Sequence, residues 1–363
     1  IAKWDEVGVL KAGITDFVPY PGYQDETPQL KVPLRWSAPI GRFVPWDYSL
    51  SGGFITPACN AFTYMSQPFA SSFVITARNL QQGTTQNYQG AFAKGVAQMV
   101  AANALDGVDR ATRITQAPTL SWASGVASVN QQSPFGLNTR FDRAASPEAP
   151  FATLSFGVKV DDTDGGNTQL ATPNMNAAVA GACSGAGCDA VWLGTQKLFY
   201  GRLLAGKSRG VNSASLPVTL LMERFEQGGW LPNDEDSCTQ LSLANDGFDP
   251  LPGESPIDKD RKISFNSASS SYQVTGNVPR PYSSTLTLSG QQGAASSATA
   301  KKGEIIFHFS APNADVVIPY RVDLAKQPSS PTWLSDPTSL QGEARFDSSR
   351  GNDRIIYRRE VMP

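Results

Sequence analysis

Short runs in which apolar and polar residues alternate, each closed by glycine, proline, asparagine or serine, constrain this chain more than any other feature. They recur at residues 151–160 (FATLSFGVKV), 216–224 (LPVTLLMER), 262–265, 284–288, 304–309 (EIIFHF), 315–322 (DVVIPYRV) and 354–358. A period of two turns one face of a strand toward a core, and turn-bounded runs of five to ten residues suit sandwiches better than strand–helix–strand units. The expected fold class is therefore all-β: tandem β-sandwich domains, one immunoglobulin-like and one larger and jelly-roll-like. One segment fits both periods. Across 92–104, Phe92, Val96, Met99 and Val100 share a helical face, while Gly95 and the alternation of small and apolar residues suit a strand equally.

With 363 residues, 40% of them hydrophobic and 17% charged, the chain can bury two or three cores. Residues 1–50 carry prolines at 19, 21, 28, 33, 39 and 45 and read as a small N-terminal β module or the tail of an upstream domain. Residues 51–145 have the dimensions of an immunoglobulin-like sandwich, in which alternating Phe73, Ile75 and Ala77 precede a turn at Gly83. The segment 143–150 (RAASPEAP) is linker-like, and 146–363 would close a larger sandwich. Low-complexity stretches at 267–271 and 290–300 suit exposed loops. The sequence opens at Ile1 without a charged, apolar and cleavage-site pattern, as expected of a mature or excised piece whose signal would lie upstream.

Thirty basic residues against 32 acidic ones give a net charge of −2 without a tract of either sign. No nucleic acid or anionic lipid is expected as a partner. The longest apolar-leaning stretch, 91–105, is interrupted by Lys94, Gln98 and Asn103, so no membrane span is expected.

Four cysteines in a Ser/Thr/Asn/Gln/Gly-rich chain suit an oxidising compartment and two disulfides. Cys183 and Cys188 sit in GACSGAGCD, whose small residues let the chain fold back on itself, so these two pair locally. Cys59 is left for Cys238, closing a loop that contributes on the order of 4 to 5 kcal/mol in the chain-entropy model. A zinc site is the competing reading. It lacks a CxxC pair, and the sole histidine, His308, falls in a strand-like run. The absence of any Asn-x-Ser/Thr acceptor suits a bacterial rather than a eukaryotic secreted protein.

The strings FTYMSQPF (62–69), TARN (76–79), NYQGAFAK (87–94), LFYGRL (198–203), NDEDSCT (233–239) and IIYRRE (355–360) carry a family resemblance as ordered patches. The chain resembles the uncharacterised carboxy-terminal domain of the bacterial surface-protein family that includes the Q protein of mannose-sensitive haemagglutinin (MSHA) pilus biogenesis. The resemblance implies an exported Gram-negative protein encoded with type IV pilus components. Its full-length relatives often carry a laminin-G-like lectin module upstream. It also implies that Cys59 and Cys238 are recurring positions, and it supplies no catalytic residue.

Motifs that suggest chemistry meet plainer explanations. Residues 185–190 (GAGCDA) satisfy a dinucleotide-binding pattern, yet they are flanked by two cysteines and followed by strand-like VWLG, so a disulfide loop is expected. A serine hydrolase would depend on His308, which alternates with Ile306 on a strand face. Asp161, Asp162, Asp164 and Asn167 cluster hard oxygen ligands that calcium favours, although such residues also make turns through backbone hydrogen bonds. Asp234, Glu235 and Asp236 form a second acidic cluster, and neither fits the helix–loop–helix calcium pattern. A glycosidase would need two facing carboxylates, a pairing that sequence does not establish. Seven scattered tryptophans are expected mainly as core anchors, with Trp230, after Gly228 and Gly229, the candidate for stacking on a sugar or partner.

Together these readings describe a non-enzymatic, exported β-sandwich protein with no catalytic residues and no cofactor, calcium being the one ion its turns would suit. Its expected role is a type IV pilus-associated adhesin, or the scaffold that anchors one. Its partners would be other pilus or cell-surface proteins and host or surface glycans. Its place would be the extracellular surface of a Gram-negative bacterium, reached through the periplasm. A carbohydrate-binding module and a secreted hydrolase are the alternatives, and a subunit that polymerises through edge strands is a third.

Overall fold

The computed structural model describes residues 3–13, 35–103, 106–115, 121–131, 139–164, 168–243, 248–250, 262–266, 269, 271–276, 282–290 and 297–348. The expected strand at 354–358, the patch 355–360, Asn167 and much of both low-complexity stretches lie outside them. Among the described residues the chain is nearly all β, arranged in several sheets, with no helix of seven or more residues. None of its helical turns is long and apolar enough to cross a membrane.

Two compact units emerge. Unit 1 comprises residues 1–56, 69–139 and 153–195, and unit 2 comprises 57–68, 140–152 and 196–363. The three-part division read from sequence cuts the chain elsewhere, because two short stretches of its middle belong with the C-terminal half. One of them holds the expected linker, and contacts within unit 2 explain the difference. The Arg143 guanidinium donates to the carbonyls of Trp333 (2.8 Å) and Ser335 (2.9 Å) and lies 4.6 Å from the centroid of the Tyr200 ring. Its backbone N–H donates to Ser66 Oγ (2.9 Å). Composition alone makes this segment look like a spacer, whereas one arginine docks it.

In unit 1, strands Asp47–Thr56, Ala70–Arg78 and Val126–Gln131 form an antiparallel sheet with Ala70–Arg78 at its centre. That strand buries Phe73, Ile75 and Ala77, the alternating set its sequence indicates. The ambiguous segment resolves as strand Gly95–Asn103, antiparallel to Phe151–Asp162 from Asn103↔Leu154 to Gly95↔Asp162. Met99, Val100, Ala101 and Ala102 are all buried, so this half of the strand is covered on both faces, while Val96 is exposed. Such a strand lacks alternation, which is why its sequence also satisfied a helical spacing.

A hydrogen-bonded aromatic column fills the interior of the same unit. Gly95 N–H donates to Tyr88 Oη (2.6 Å), the Tyr88 and Tyr48 hydroxyls meet at 2.6 Å, and Tyr48 Oη donates to Asp162 Oδ2 (2.9 Å). Because Tyr48 gives its proton to Asp162, Tyr88 must be the donor to Tyr48. Trp122 packs on both rings and donates from Nε1 to the Gly95 carbonyl (2.7 Å). A Cβ at residue 95 would lie 2.7 Å from the Tyr48 hydroxyl and 2.8 Å from that of Tyr88. Glycine is required there by close approach.

In unit 2, strands Gly201–Ala205, Leu216–Glu226, Glu304–Phe309, Tyr282–Gly290, Ser271–Gly276 and Lys262–Asn266 follow one another in an antiparallel sheet. A second sheet orders Lys207–Val211, Gln341–Asp347, Val316–Val322 and Phe248–Pro250, with its first pair parallel. Inward residues of both sheets, among them Val218, Leu220, Phe307, Phe309, Ile318, Tyr320 and Phe346, join one hydrophobic cluster. This is the sandwich that the period-two runs indicated.

Burial raises the phenol pKa of Tyr48, Tyr64, Tyr88 and Tyr320 above the ordinary 10.0. A folded pKa above the unfolded one gives stability that is fully present below pH 10 and is lost as pH rises beyond it, because only the unfolded chain can then ionise. Ultraviolet titration should therefore leave these four of the ten tyrosines protonated past pH 10 and release them together in an alkaline unfolding transition. Smooth ionisation of all ten in the folded protein would contradict the packing.

Candidate functional site

Both disulfides form as expected. Cys59–Cys238 has a Cα separation of 5.6 Å and Cys183–Cys188 one of 5.4 Å. Both ends of Cys59–Cys238 lie in unit 2, so the bridge is a staple within that unit.

The acidic turn beside Cys238 is a buried corner. Asp236 is fully buried; its Oδ1 accepts from the backbone N–H of Cys238 and of Thr239 (both 3.0 Å). Its Oδ2 accepts from Thr239 Oγ1 (2.7 Å) and Tyr64 Oη (2.9 Å). Asn233 Nδ2 in turn donates to Tyr64 Oη (2.7 Å). Gly303, at φ +76°, donates to the Asp236 carbonyl, and a Cβ there would lie 2.4 Å from the Asn233 carbonyl oxygen. The neighbouring acids turn elsewhere: Glu235 pairs with Lys197 (2.9 Å) and Asp234 with Arg224 (3.1 Å). Cys59, Asp236 and Cys238 bring one ligand atom each within 4.8 Å of one another. With both sulfurs in the disulfide, no thiolate is available to bind zinc.

The other predicted positions are likewise engaged by the protein. Gly185–Gly187 is a single 3-10 turn inside the Cys183–Cys188 loop, and strand Ala190–Phe199 follows it, so no helix N-terminus is present to hold a dinucleotide. Asp161 and Asp162 line a cleft of about 300 Å³ with Asp189, whose carboxyl is raised by burial. Asp161 accepts from Gln98 Nε2 (2.9 Å), Asp162 from Tyr48, and Asp164 pairs with Arg42 (2.6 Å). His308 sits mid-strand, in register with Pro217 and Ser289. Trp230 follows the hairpin turn Gln227-Gly228, both residues at positive φ. The Arg202 guanidinium lies 4.2 Å from its centroid and is itself paired with Glu223 (2.7 Å). A face of the expected platform is thus already covered.

The remaining tryptophans depart from expectation. None of the seven is fully buried, and Trp4, Trp36, Trp46 and Trp192 are between 44% and 60% exposed. Phenylalanine and tyrosine fill the large buried aromatic positions instead. Trp4 and Trp46 line one cleft of about 350 Å³ in unit 1, together with Phe43, Leu80, Gln81 and others. Its frame is fixed by polar groups that face the protein. The Glu6 carboxylate accepts from the backbone N–H of Gln86 (3.0 Å) and Asn87 (2.9 Å), while Asn79 bonds to the Asp5 carbonyl (3.0 Å) and closes its own turn onto Gln81 and Gly83. Arg78 holds Asp47 through two bonds (2.7 and 2.9 Å), and the Trp46 N–H donates to the Arg78 carbonyl (2.7 Å). Sequence reasoning missed this cleft because its tryptophans are 42 positions apart. The only local cue is the repeated Trp-Asp step at 4–5 and 46–47.

Family models match both halves of the chain. Residues 6–190 match the model of the third DUF6701 domain and residues 199–361 that of the fourth. Among solved structures, the chain aligns with the adhesin InvE of Yersinia pseudotuberculosis at 10% identity and a TM-score of 0.27, covering 83% of this chain and 58% of InvE. It also aligns with the CupB6 tip adhesin of Pseudomonas aeruginosa at 11% identity and a TM-score of 0.17, covering 84% of this chain and 99% of that one. The chain thus spans little more than half the length of InvE. No curated protein matches it.

The corner at Asp236 can be tested by unfolding in urea. Asp236→Ala should cost about 3 kcal/mol, because it strands buried donors on Tyr64, Cys238 and Thr239. Replacing Cys59 and Cys238 with serine, which opens a separation of 179 residues, should cost about 5 kcal/mol, against about 2 kcal/mol for Cys183 and Cys188, separated by 5. A larger loss from the short loop would overturn this order.

Proposed function

The chain belongs to the DUF6701 family, and we propose that it is a non-enzymatic region of an exported bacterial surface protein, in which unit 2 serves as scaffold and unit 1 makes contact with partners. One asymmetry carries this reading. Among the described residues, every exposed large apolar side chain except Val211 and Leu231 belongs to unit 1. Exposed apolar groups mark a contact surface where they adjoin, as Trp4, Trp46 and Leu80 do in one cleft. Unit 2 instead holds the larger hydrophobic cluster and the long-range disulfide.

The disulfides support an oxidising, extracytoplasmic setting. The acidic residues of both turns are engaged by protein partners, which favours contact over catalysis, and the role needs no cofactor. The finer assignment is a type IV, MSHA-like pilus-associated adhesin or its anchor on a Gram-negative cell. It follows the resemblance of the patches at 62–69, 198–203 and 233–239, and its partners would be pilus or other cell-surface proteins.

The test is display of the chain on a non-adherent laboratory bacterium, with attachment scored on epithelial monolayers and on bare glass. Paired Trp36→Ser and Trp192→Ser substitutions in unit 1 should reduce attachment by about tenfold, whereas Val211→Ser with Leu231→Ser in unit 2 should change it by less than about twofold. Equal losses from the two pairs, or attachment no greater than that of the parent strain, would refute the division of roles.

A further inference from the structure

The Trp4–Trp46 cleft combines features that seldom occur together by accident of folding. Trp46 is 60% exposed and Trp4 44%, although the interior of unit 1 accommodates large aromatic rings readily. Leu80, 59% exposed, lines the same cleft. Its volume, about 350 Å³, falls at the small end of the range for ligand sites. The frame is preorganised, since the Glu6 latch and the Asp47–Arg78 pair fix the segments that carry the two indoles.

Charge narrows the choice of ligand. Lys3 and Asp5 neutralise one another at 3.1 Å, and the Glu6 carboxylate is satisfied by two backbone N–H groups. The one charge left without an ionic partner on the lining, Glu6, is negative and turned onto the backbone, so nothing here attracts an anion, and Gln81 adds a neutral amide to the wall. A ligand suited to this lining has a flat C–H face to lie on electron-rich indole and an edge of neutral hydroxyls. Pyranose sugars have both. A greasy peptide would favour deep apolar pockets and would leave the polar wall unpaired.

We propose that the cleft lined by Trp4, Trp46 and Gln81 is a binding site for a neutral saccharide. The indoles take the C–H face of a pyranose ring, and the Gln81 amide and the Lys3–Asp5 heads take its hydroxyls. This deepens the contact role of unit 1 and rests on it.

The experiment is a glycan array probed with the full chain, followed by titration of the best neutral oligosaccharide monitored by tryptophan fluorescence. Trp46→Ala and Trp4→Ala should each weaken binding by about tenfold or more, and Gln81→Ala by a few-fold. Leu231→Ala, exposed in unit 2 and outside the cleft, should leave affinity unchanged. Trp46→Phe should retain part of the binding, and the far-ultraviolet circular dichroism of each variant should match the parent, which separates loss of stacking from loss of fold. Affinity should stay constant from about 50 to about 500 mM salt, because no ion pair is made. Absence of neutral-glycan binding, affinity only for acidic glycans with a steep salt dependence, capture of apolar peptides in place of sugars, or binding indifferent to Trp46 would each overturn the proposal. If attachment by the displayed chain depends on unit 1 while no glycan binds, the saccharide site fails and the contact role stands.

Discussion

A carboxylate with no access to water is tolerable only when its lone pairs are met by donors, and Asp236 meets that condition with four. Those donors come from its own turn and from Tyr64, more than 170 positions earlier in the chain. The disulfide from Cys59 to Cys238 closes around the same point, and the Gly303 N–H takes the Asp236 carbonyl. Three distant stretches of unit 2 are therefore held by one buried charge and one covalent bond. Tyr64 also packs edge-on against Phe62, and Phe62 lies against Phe199, so the polar corner continues directly into the aromatic core. If the charge moved, its donors would be left buried and unpaired.

Unit 1 solves the same problem with a shorter chain of bonds. Its phenols lead from the Gly95 N–H through Tyr88 and Tyr48 to Asp162, a directional relay that satisfies three buried polar groups. In both units an acidic turn terminates an aromatic network, and this explains why neither turn presents a converging set of ligands. Aspartates that look like ion ligands in the sequence act here as acceptors for tyrosine, arginine and glutamine. The exposed large apolar side chains, in contrast, are concentrated in unit 1.

That distribution links fold to function. Unit 2 encloses its apolar residues between two sheets, whereas unit 1 leaves indoles in solvent and spends its hydrogen bonds on fixing their frame. The exposed indoles of unit 1 and the closed sandwich of unit 2 are the features on which the proposed division of roles rests.

The sequence by itself determined the strand class and the positions of strands such as those over 151–160, 216–224 and 304–309, because a period of two is a local property of the backbone. Glu304–Phe309 follows from its own six residues. It also indicated both disulfides, since four cysteines with one close pair leave a single partition once that pair is taken. Only the tertiary structure decided where Trp46 points, what Asp162 and Asp236 bind, why Gly95 is glycine, and which unit holds residues 57–68 and 140–152. Each depends on atoms from stretches far apart in the chain: Tyr64 against Asp236, Tyr48 against Asp162, Arg143 against Trp333. The exposure of an indole and the partner of a carboxylate are set by what the fold brings beside them, and composition and spacing carry no record of that.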